Sequence, residues 1–170
     1  MKLTVKETAI FSMLGTLMYC SKLIMEALPN IHLIGALTMA ITLVYRKKAL
    51  YPIYVFVLLT GLFGGFNAWW IPYLYIWTIL WGVTMLLPER MPKGIAVAVY
   101  VGVCSLHGFL YGILYAPAQA LFFGLDFKGM LTWIAAGAVF DTLHGVGNFF
   151  SGFLIVPIAT LLKRADKMAR

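Results

Sequence analysis

The chain has 170 residues, which is enough for one domain and too few for two. Hydrophobic residues make up 62% of it, charged residues make up 11%, and the mean hydropathy is +0.92. A soluble domain carries about 25% charged residues. This composition therefore excludes a water-soluble globule, a disordered chain and a nucleic-acid-binding domain, and the two cysteines exclude a disulfide scaffold. It predicts a single membrane domain over residues 1–170.

Six apolar segments follow one another along the chain, and a bilayer core of about 30 Å needs about 20 such residues as a helix. Their predicted bounds are 5–25, 31–45, 49–62, 72–87, 94–115 and 140–162. Turn-forming or charged runs separate them, such as Leu28-Pro29-Asn30 after the first segment and Arg46-Lys47-Lys48 after the second. The predicted fold class is all-α, a polytopic membrane protein with six transmembrane helices and an outward-facing, lidded binding cavity.

Basic residues predict the orientation of these spans. With a cytoplasmic N-terminus, only Lys22 and Lys128 fall outside, and eleven of the 13 Lys and Arg residues fall inside, as the positive-inside rule expects. Both termini are then cytoplasmic. The inner set comprises Lys2, Lys6, Arg46, Lys47, Lys48, Arg90, Lys93, Lys163, Arg164, Lys167 and Arg170.

Two outer segments are candidate lids. Residues 116–139 contain apolar stretches too short to cross twice, and they predict a re-entrant or surface-lying lid. Residues 64–72 carry no charge and contribute Asn67, Trp69 and Trp70. These aromatic side chains fit an interfacial belt or a cavity wall, and their clustering on the outer side favours the wall. As a loop residue, Trp70 is expected to matter little to the fold.

Polar and aromatic residues inside the last three spans predict the cavity itself, because each polar group is costly in hydrocarbon. In the sixth span, Asp141, His144 and Asn148 are spaced i, i+3 and i+7, which puts them on one helix face. Similar stripes in the other two spans are Tyr73 and Trp77, and His107, Tyr111 and Tyr115. Such a set is typical of a small-molecule site.

Structural roles remain open for several of these residues. Asp141 and His144 form a pair that would also cap the sixth helix, because a carboxylate is favourable at a helix N-terminus. His107 fits an interior histidine with a satisfied partner. His32, next to a helix start, is interpreted as structural or interfacial.

Motifs for catalysis are missing from the sequence. Asp141-x-x-His144 is half of a di-metal pattern without its other half, so no metal or other cofactor is expected. No Gly-x-Ser-x-Gly and no phosphate-binding Gly-x-x-x-x-Gly-Lys-Ser/Thr run occurs. Active transport by this chain would therefore need an outside source of energy or an ion gradient.

The sequence resembles the substrate-binding S component of an energy-coupling factor (ECF) vitamin transporter along essentially its whole length. The most specific part is the run from Phe140 to Phe150, with Asp141, His144 and Asn148, followed by Pro157 and Lys163-Arg164. The resemblance implies a protein of the bacterial plasma membrane that is not an enzyme. It implies vitamin capture from outside and delivery inward with a membrane T subunit and two ATPases.

The resemblance also implies a docking face of small residues on the first helix, typically Ala-x-x-x-Ala. The corresponding residues here are Ala9, Ser12, Gly15 and Thr16, and Ser12-x-x-x-Thr16 keeps the spacing. Ala9 pairs with Met13 instead. Close packing among the chain's own helices is the alternative interpretation.

The choice of vitamin is constrained by charge. The outer region lacks arginine, which a polyanionic ligand usually requires. Overall resemblance favours cobalamin, and a pyridine or pyrimidine vitamin fits equally well. Two other functions remain open: a secondary transporter with Asp141 and Glu26 as proton sites, and a small membrane enzyme using Asp141, His144 and His107.

Overall fold

A computed structural model of the chain describes residues 2–28 and 30–168, without the side chain of residue 168. Within these residues the chain forms eight α-helices and one short 3-10 helix, and no β-strand, so the predicted all-α class is confirmed. The elements are α1 (Val5–Ile24), α2 (Ile34–Tyr45), the 3-10 helix (Arg46–Ala49), α3 (Leu50–Gly64), α4 (Tyr73–Leu86), α5 (Lys93–Phe109), α6 (Tyr111–Phe123), α7 (Phe127–Gly152) and α8 (Ile155–Met168).

The helices pack into one bundle, in which α3 and α4 lie side by side. The hydroxyl of Tyr54 in α3 donates to the carbonyl of Leu74 at the start of α4, at 2.9 Å. Arg46, just before α3, donates to the carbonyl of Met85 at the end of α4, at 3.1 Å. These two contacts make α3 and α4 antiparallel.

The predicted cytoplasmic cations gather at one end of this bundle. Lys48 contacts Glu7 at the start of α1, and Arg46 lies 3.4 Å from Glu89 after α4. We call this end, marked by Arg46, Lys48, Lys93 and Lys163, the basic end. Arg170 of the predicted inner set lies outside the described residues.

The opposite end is rich in aromatic side chains and carries Lys22, one of the two predicted outer lysines. We call it the aromatic end, marked by Trp69, Tyr73, Tyr111 and Tyr115. In the turn between α1 and α2, Ile31 N donates to Leu28 O at 3.2 Å. Pro29 of that predicted turn lies outside the described residues.

Among the described residues, two helical stretches are long and apolar enough to cross a membrane, Ile34–Gly64 and Lys93–Phe123, and the pair α7 and α8, bent by 50°, is a third if it counts as one span. The first stretch turns back at Arg46, whose φ is 53°. His32 and Phe56 both contact Trp77, with ring centroids 6.0 and 5.9 Å apart. One straight helix would hold those two residues about 36 Å apart. α2, with 12 residues, and α3, with 15 residues, are thus separate, short helices, and the six-span topology stays a prediction.

The region predicted as a re-entrant or surface-lying lid is helical, and its role as a lid stays a prediction. α6 continues to Phe123 and α7 begins at Phe127, so residues 116–139 form most of a helical hairpin. Gly124 ends α6 in the left-handed conformation, with φ 64°. Asp126 begins α7, because its carboxylate accepts the N–H of Gly129 at 2.7 Å. The predicted sixth span, 140–162, is likewise divided between α7 and α8.

α2 lies at the centre of the bundle, and its residues 34–42 are all buried. A helix that is apolar on every side belongs in an interior. The outer helices instead expose large apolar side chains: Met13 is 72%, Phe63 72%, Leu121 81% and Phe150 67% exposed. Apolar surface of this extent fits contact with lipid rather than with water.

Candidate ligand-binding site

The aromatic end encloses a cavity of about 310 Å³, which we call the aromatic cavity. Its wall is formed by Trp69, Tyr73, Tyr111 and Tyr115, its floor by His32 and His144, and Lys22 and Glu26 also line it. Small-molecule sites have volumes of about 300–1,000 Å³ and combine aromatic walls with a few polar groups. The aromatic cavity is at the small end of that range.

The two floor histidines and the wall residue Tyr111 form a group of three rings from three parts of the chain. His144 of α7 is 2% exposed, and its ring centroid lies 4.6 Å from that of Tyr111 in α6. It lies 4.7 Å from the ring of His32, which precedes α2. Three separate parts of the chain therefore meet where the floor joins the wall.

Two ring nitrogens of this floor lack a hydrogen-bond partner in the part of the chain that the structure describes. They are Nδ1 of His32 and Nε2 of His144. An unpaired buried polar atom costs about 1–3 kcal/mol. A neutral imidazole carries one donor and one acceptor nitrogen, so the floor suits a ligand with amide-type or ring-nitrogen groups.

Loop 64–72 closes one side of the cavity through Trp69. The rings of Trp69 and Tyr73 meet edge to face at 5.7 Å. The Tyr115 hydroxyl donates to the Trp69 carbonyl at 2.9 Å, which fixes the loop to α6. Three predicted site residues are thus brought together on the cavity.

Trp70 and Asn67 of the same loop do not line the aromatic cavity. The Trp70 indole N–H donates to the carbonyl of Val57 in α3 at 2.8 Å, so Trp70 holds the loop on the bundle. This contact gives Trp70 a structural role that the sequence did not predict. Asn67 is exposed, and its Oδ1 accepts the backbone N–H of Trp69 at 3.3 Å.

Asp141 lines a second cavity of about 280 Å³, the side chamber, which shares Tyr111 and Tyr115 with the aromatic cavity. Its Oδ1 accepts the backbone N–H of Gly112 at 2.9 Å. Gly112 lies in the first turn of α6, where N–H groups lack intrahelical partners. Asp141 therefore caps a helix, as predicted, but the helix is α6. It was predicted to cap its own helix, α7, and it lies in the interior of that helix.

The remaining predicted site residues, Trp77, His107 and Asn148, are buried beneath the cavity and do not line it. The ring centroids of Trp77 and His107 are 5.6 Å apart, and His107 Nε2 lies 3.3 Å from the carbonyl of Ile76. Asn148 donates from Nδ2 to the carbonyl of Cys104 at 3.1 Å. Asn148 thus connects α7 to α5. It lies below the cavity that it was predicted to line.

Sequence reasoning missed the side of the cavity built by the end of α1 and the loop that follows it. Lys22, Glu26, Asn30 and His32 line the aromatic cavity there. Asn30 has a φ of 56°, and its amide donates to the carbonyl of Phe140 at 3.5 Å. The available signal was four polar residues close together around the junction of the first two apolar segments.

The predicted docking residues on α1 fall on two faces. Ala9, Ser12 and Thr16 are exposed, and Ser12 and Thr16 border a shallow surface groove with Met13. Gly15 is buried, and a Cβ added there would lie 2.5 Å from Cβ of Val55 in α3. Gly15 therefore belongs to the α1–α3 contact and not to an open face.

Among the described residues, no group of three or more His, Cys, Asp or Glu side chains is arranged to hold a metal ion. No protein-family model, no curated protein and no solved structure matches the chain. The fold and the aromatic cavity define a class only: an all-helical, lipid-compatible bundle with a cavity of small-molecule size at its aromatic end.

Proposed function

We propose that the chain is the substrate-binding S component of an ECF-type vitamin transporter in the bacterial plasma membrane. In this proposal six passes place the basic end and both termini in the cytoplasm, with the aromatic cavity open to the outside. The chain binds its vitamin without turning it over, and a T subunit with two ATPases drives delivery. The observation that carries the proposal is the aromatic cavity with its two unpaired histidine nitrogens.

The size of the cavity favours a small ligand. Its 310 Å³ equals roughly ten water volumes, which suits a vitamin built on one pyridine or pyrimidine ring. Such a ring packs against Trp69 and Tyr111 and offers hydrogen-bonding nitrogens to His32 and His144. Lys22 and Glu26 then meet the polar substituents of the ligand.

Cobalamin is the second candidate, and the side chamber is the observation that favours it. The two cavities adjoin at Tyr111 and Tyr115. A corrinoid exceeds the aromatic cavity, so it requires both cavities and an outward movement of the α6–α7 hairpin. The volume as it stands favours the single-ring ligand.

The two rival functions receive less support from the contacts. An enzyme using Asp141 with His144 needs the two groups together, whereas Asp141 is bound to the backbone of Gly112. A proton-driven transporter using Asp141 and Glu26 needs a proton path between them, and the two residues line different cavities.

The proposal is tested by mass spectrometry of the small molecule retained after mild detergent purification, followed by calorimetric titration of that molecule. His144→Phe and His107→Phe form a matched pair, because both remove a buried imidazole and only His144 lines the cavity. We expect His144→Phe to lower affinity roughly five- to 150-fold and His107→Phe to leave it nearly unchanged. Equal affinities for folded His144→Phe and unaltered protein would contradict the proposal.

A further inference from the structure

The basic end contains a cleft of about 380 Å³ between α2, the loop before α5, α5 and α8, which we call the basic cleft. Three cationic side chains line it: Arg46, Lys93 and Lys163. Glu89 is the one carboxylate among its described lining residues, and it lies 3.4 Å from Arg46. The cleft therefore carries a net positive charge of two.

Arg46 is held in place by bonds at both of its ends. Its guanidinium donates to the carbonyl of Met85 at 3.1 Å, and its own carbonyl accepts the indole N–H of Trp81 at 3.1 Å. Its φ of 53° is a conformation that favours glycine. Arginine in such a strained backbone conformation is a sign of function. Here the two hydrogen bonds fix the positive charge of Arg46 at the cleft before any ligand binds.

The two lysines are available for an anion. Within the part of the chain that the structure describes, neither Lys93 nor Lys163 forms a salt bridge. Lys93 is also the first residue of α5, a 17-residue helix whose start has no side-chain cap. Uncapped N–H groups at a helix start attract anions, phosphate above all.

Most of the remaining lining of the cleft is apolar, with hydroxyl groups from Tyr100 and Thr160. Leu43, Met91, Val156 and Ala159 line it beside the cations. A soluble anion gains nothing from such a surface, whereas the glycerol and first acyl carbons of a lipid bury apolar area against it. Basic clefts between membrane helices on the cytoplasmic side suit anionic head groups.

From this combination we infer that the basic cleft binds the phosphate of an anionic phospholipid, with the lipid's apolar part against α2 and α8. The phosphate lies between Arg46, Lys93 and Lys163. The inference rests on the part of the proposed function that places the chain in a membrane, and it is independent of the vitamin.

The test compares two double variants that lose the same charge. Lys93→Gln with Lys163→Gln removes two cations from the cleft, whereas Arg90→Gln with Arg164→Gln removes two cations beside it that do not line it. Native mass spectrometry in detergent measures retention of phosphatidylglycerol and of phosphatidylcholine by each protein. Inorganic phosphate and glycerol 1-phosphate serve as soluble competitors.

We expect the unaltered protein and the Arg90/Arg164 variant to retain phosphatidylglycerol in preference to phosphatidylcholine. Loss of one cation near anionic lipid weakens binding roughly fivefold, so the Lys93/Lys163 variant should bind roughly 25-fold more weakly. If the double variant does not fold, the single variant Lys163→Gln, on an exposed residue of α8, serves instead. We expect it to bind phosphatidylglycerol about fivefold more weakly.

Three results would overturn the inference. Equal weakening by both double variants would mean unspecific attraction of charge. Displacement by inorganic phosphate at similar concentration would assign the cleft to a soluble anion. Unchanged lipid retention with lost binding of the T subunit and ATPases would assign it to a protein. Vitamin binding by the same variants is measured in parallel. A failure of the proposed vitamin site is thereby distinguished from a failure of the lipid site.

Discussion

The backbone N–H of Gly112 donates to Oδ1 of Asp141 at 2.9 Å and joins the start of α6 to the middle of α7. The bond requires a close approach, since a Cβ added at Gly112 would lie 2.2 Å from Oδ2 of Asp141. This contact fixes the α6–α7 hairpin where the aromatic cavity and the side chamber adjoin.

We therefore expect Gly112→Ala to destabilise the protein by about 1–3 kcal/mol, because the added methyl displaces the carboxylate. Gly102→Ala is the matched control, since Gly102 is also helical and a Cβ there meets nothing within 4 Å. The control should be neutral or stabilising by up to about 1 kcal/mol. Thermal unfolding in detergent measures both, and equal unfolding temperatures would contradict this role for Gly112.

The neighbouring tryptophans Trp69 and Trp70 should separate ligand binding from stability. Trp69→Ala removes part of the cavity wall, so we expect weaker ligand binding with little loss of stability. Trp70→Phe removes the hydrogen bond to Val57, so we expect a loss of about 0.5–1.5 kcal/mol of stability with the affinity nearly kept. Titration and thermal unfolding of the two proteins test this; the reverse pattern would show that Trp69 is the anchor.

The two faces of α1 should respond differently to a bulky side chain. Ser12→Trp adds bulk on the exposed face, so we expect binding of the vitamin to persist while assembly with the T subunit and ATPases fails. Gly15→Leu forces α1 away from Val55 of α3, so we expect it to destabilise the fold itself. Leu62→Trp, at an exposed position of α3, is the control for added bulk. Co-purification of the complex is the measurement, and normal assembly of Ser12→Trp would remove Ser12 from the docking face.

The orientation of the bundle is testable by cysteine labelling. In a Cys20→Ser background, which removes the exposed native thiol, a membrane-impermeant maleimide should label Lys128→Cys in intact cells. Arg90→Cys, at the basic end, should be labelled only after the membrane is opened. Labelling of Arg90→Cys in intact cells would reverse the proposed orientation.

The sequence by itself determined where several of the helices lie. The apolar runs and the basic or turn residues between them placed α1, α3 and α4 within two residues of their observed bounds, because each run must satisfy its backbone internally. It also placed the cations at one end of the bundle. The predicted stripe of His107, Tyr111 and Tyr115 is observed, with successive ring centroids 6.3 and 6.1 Å apart, because helical periodicity is local.

Only the tertiary structure decided what each helix face meets. Periodicity puts Asp141, His144 and Asn148 on one face, yet the first caps α6, the second lines the cavity and the third bonds to α5. Residues 116–139 form a helical hairpin, which apolar composition alone did not predict. The structure places His32 in the site and Gly15 away from the surface, and neither was predicted. The physical reason is the same, since burial and contact depend on a neighbouring helix whose position no local pattern encodes.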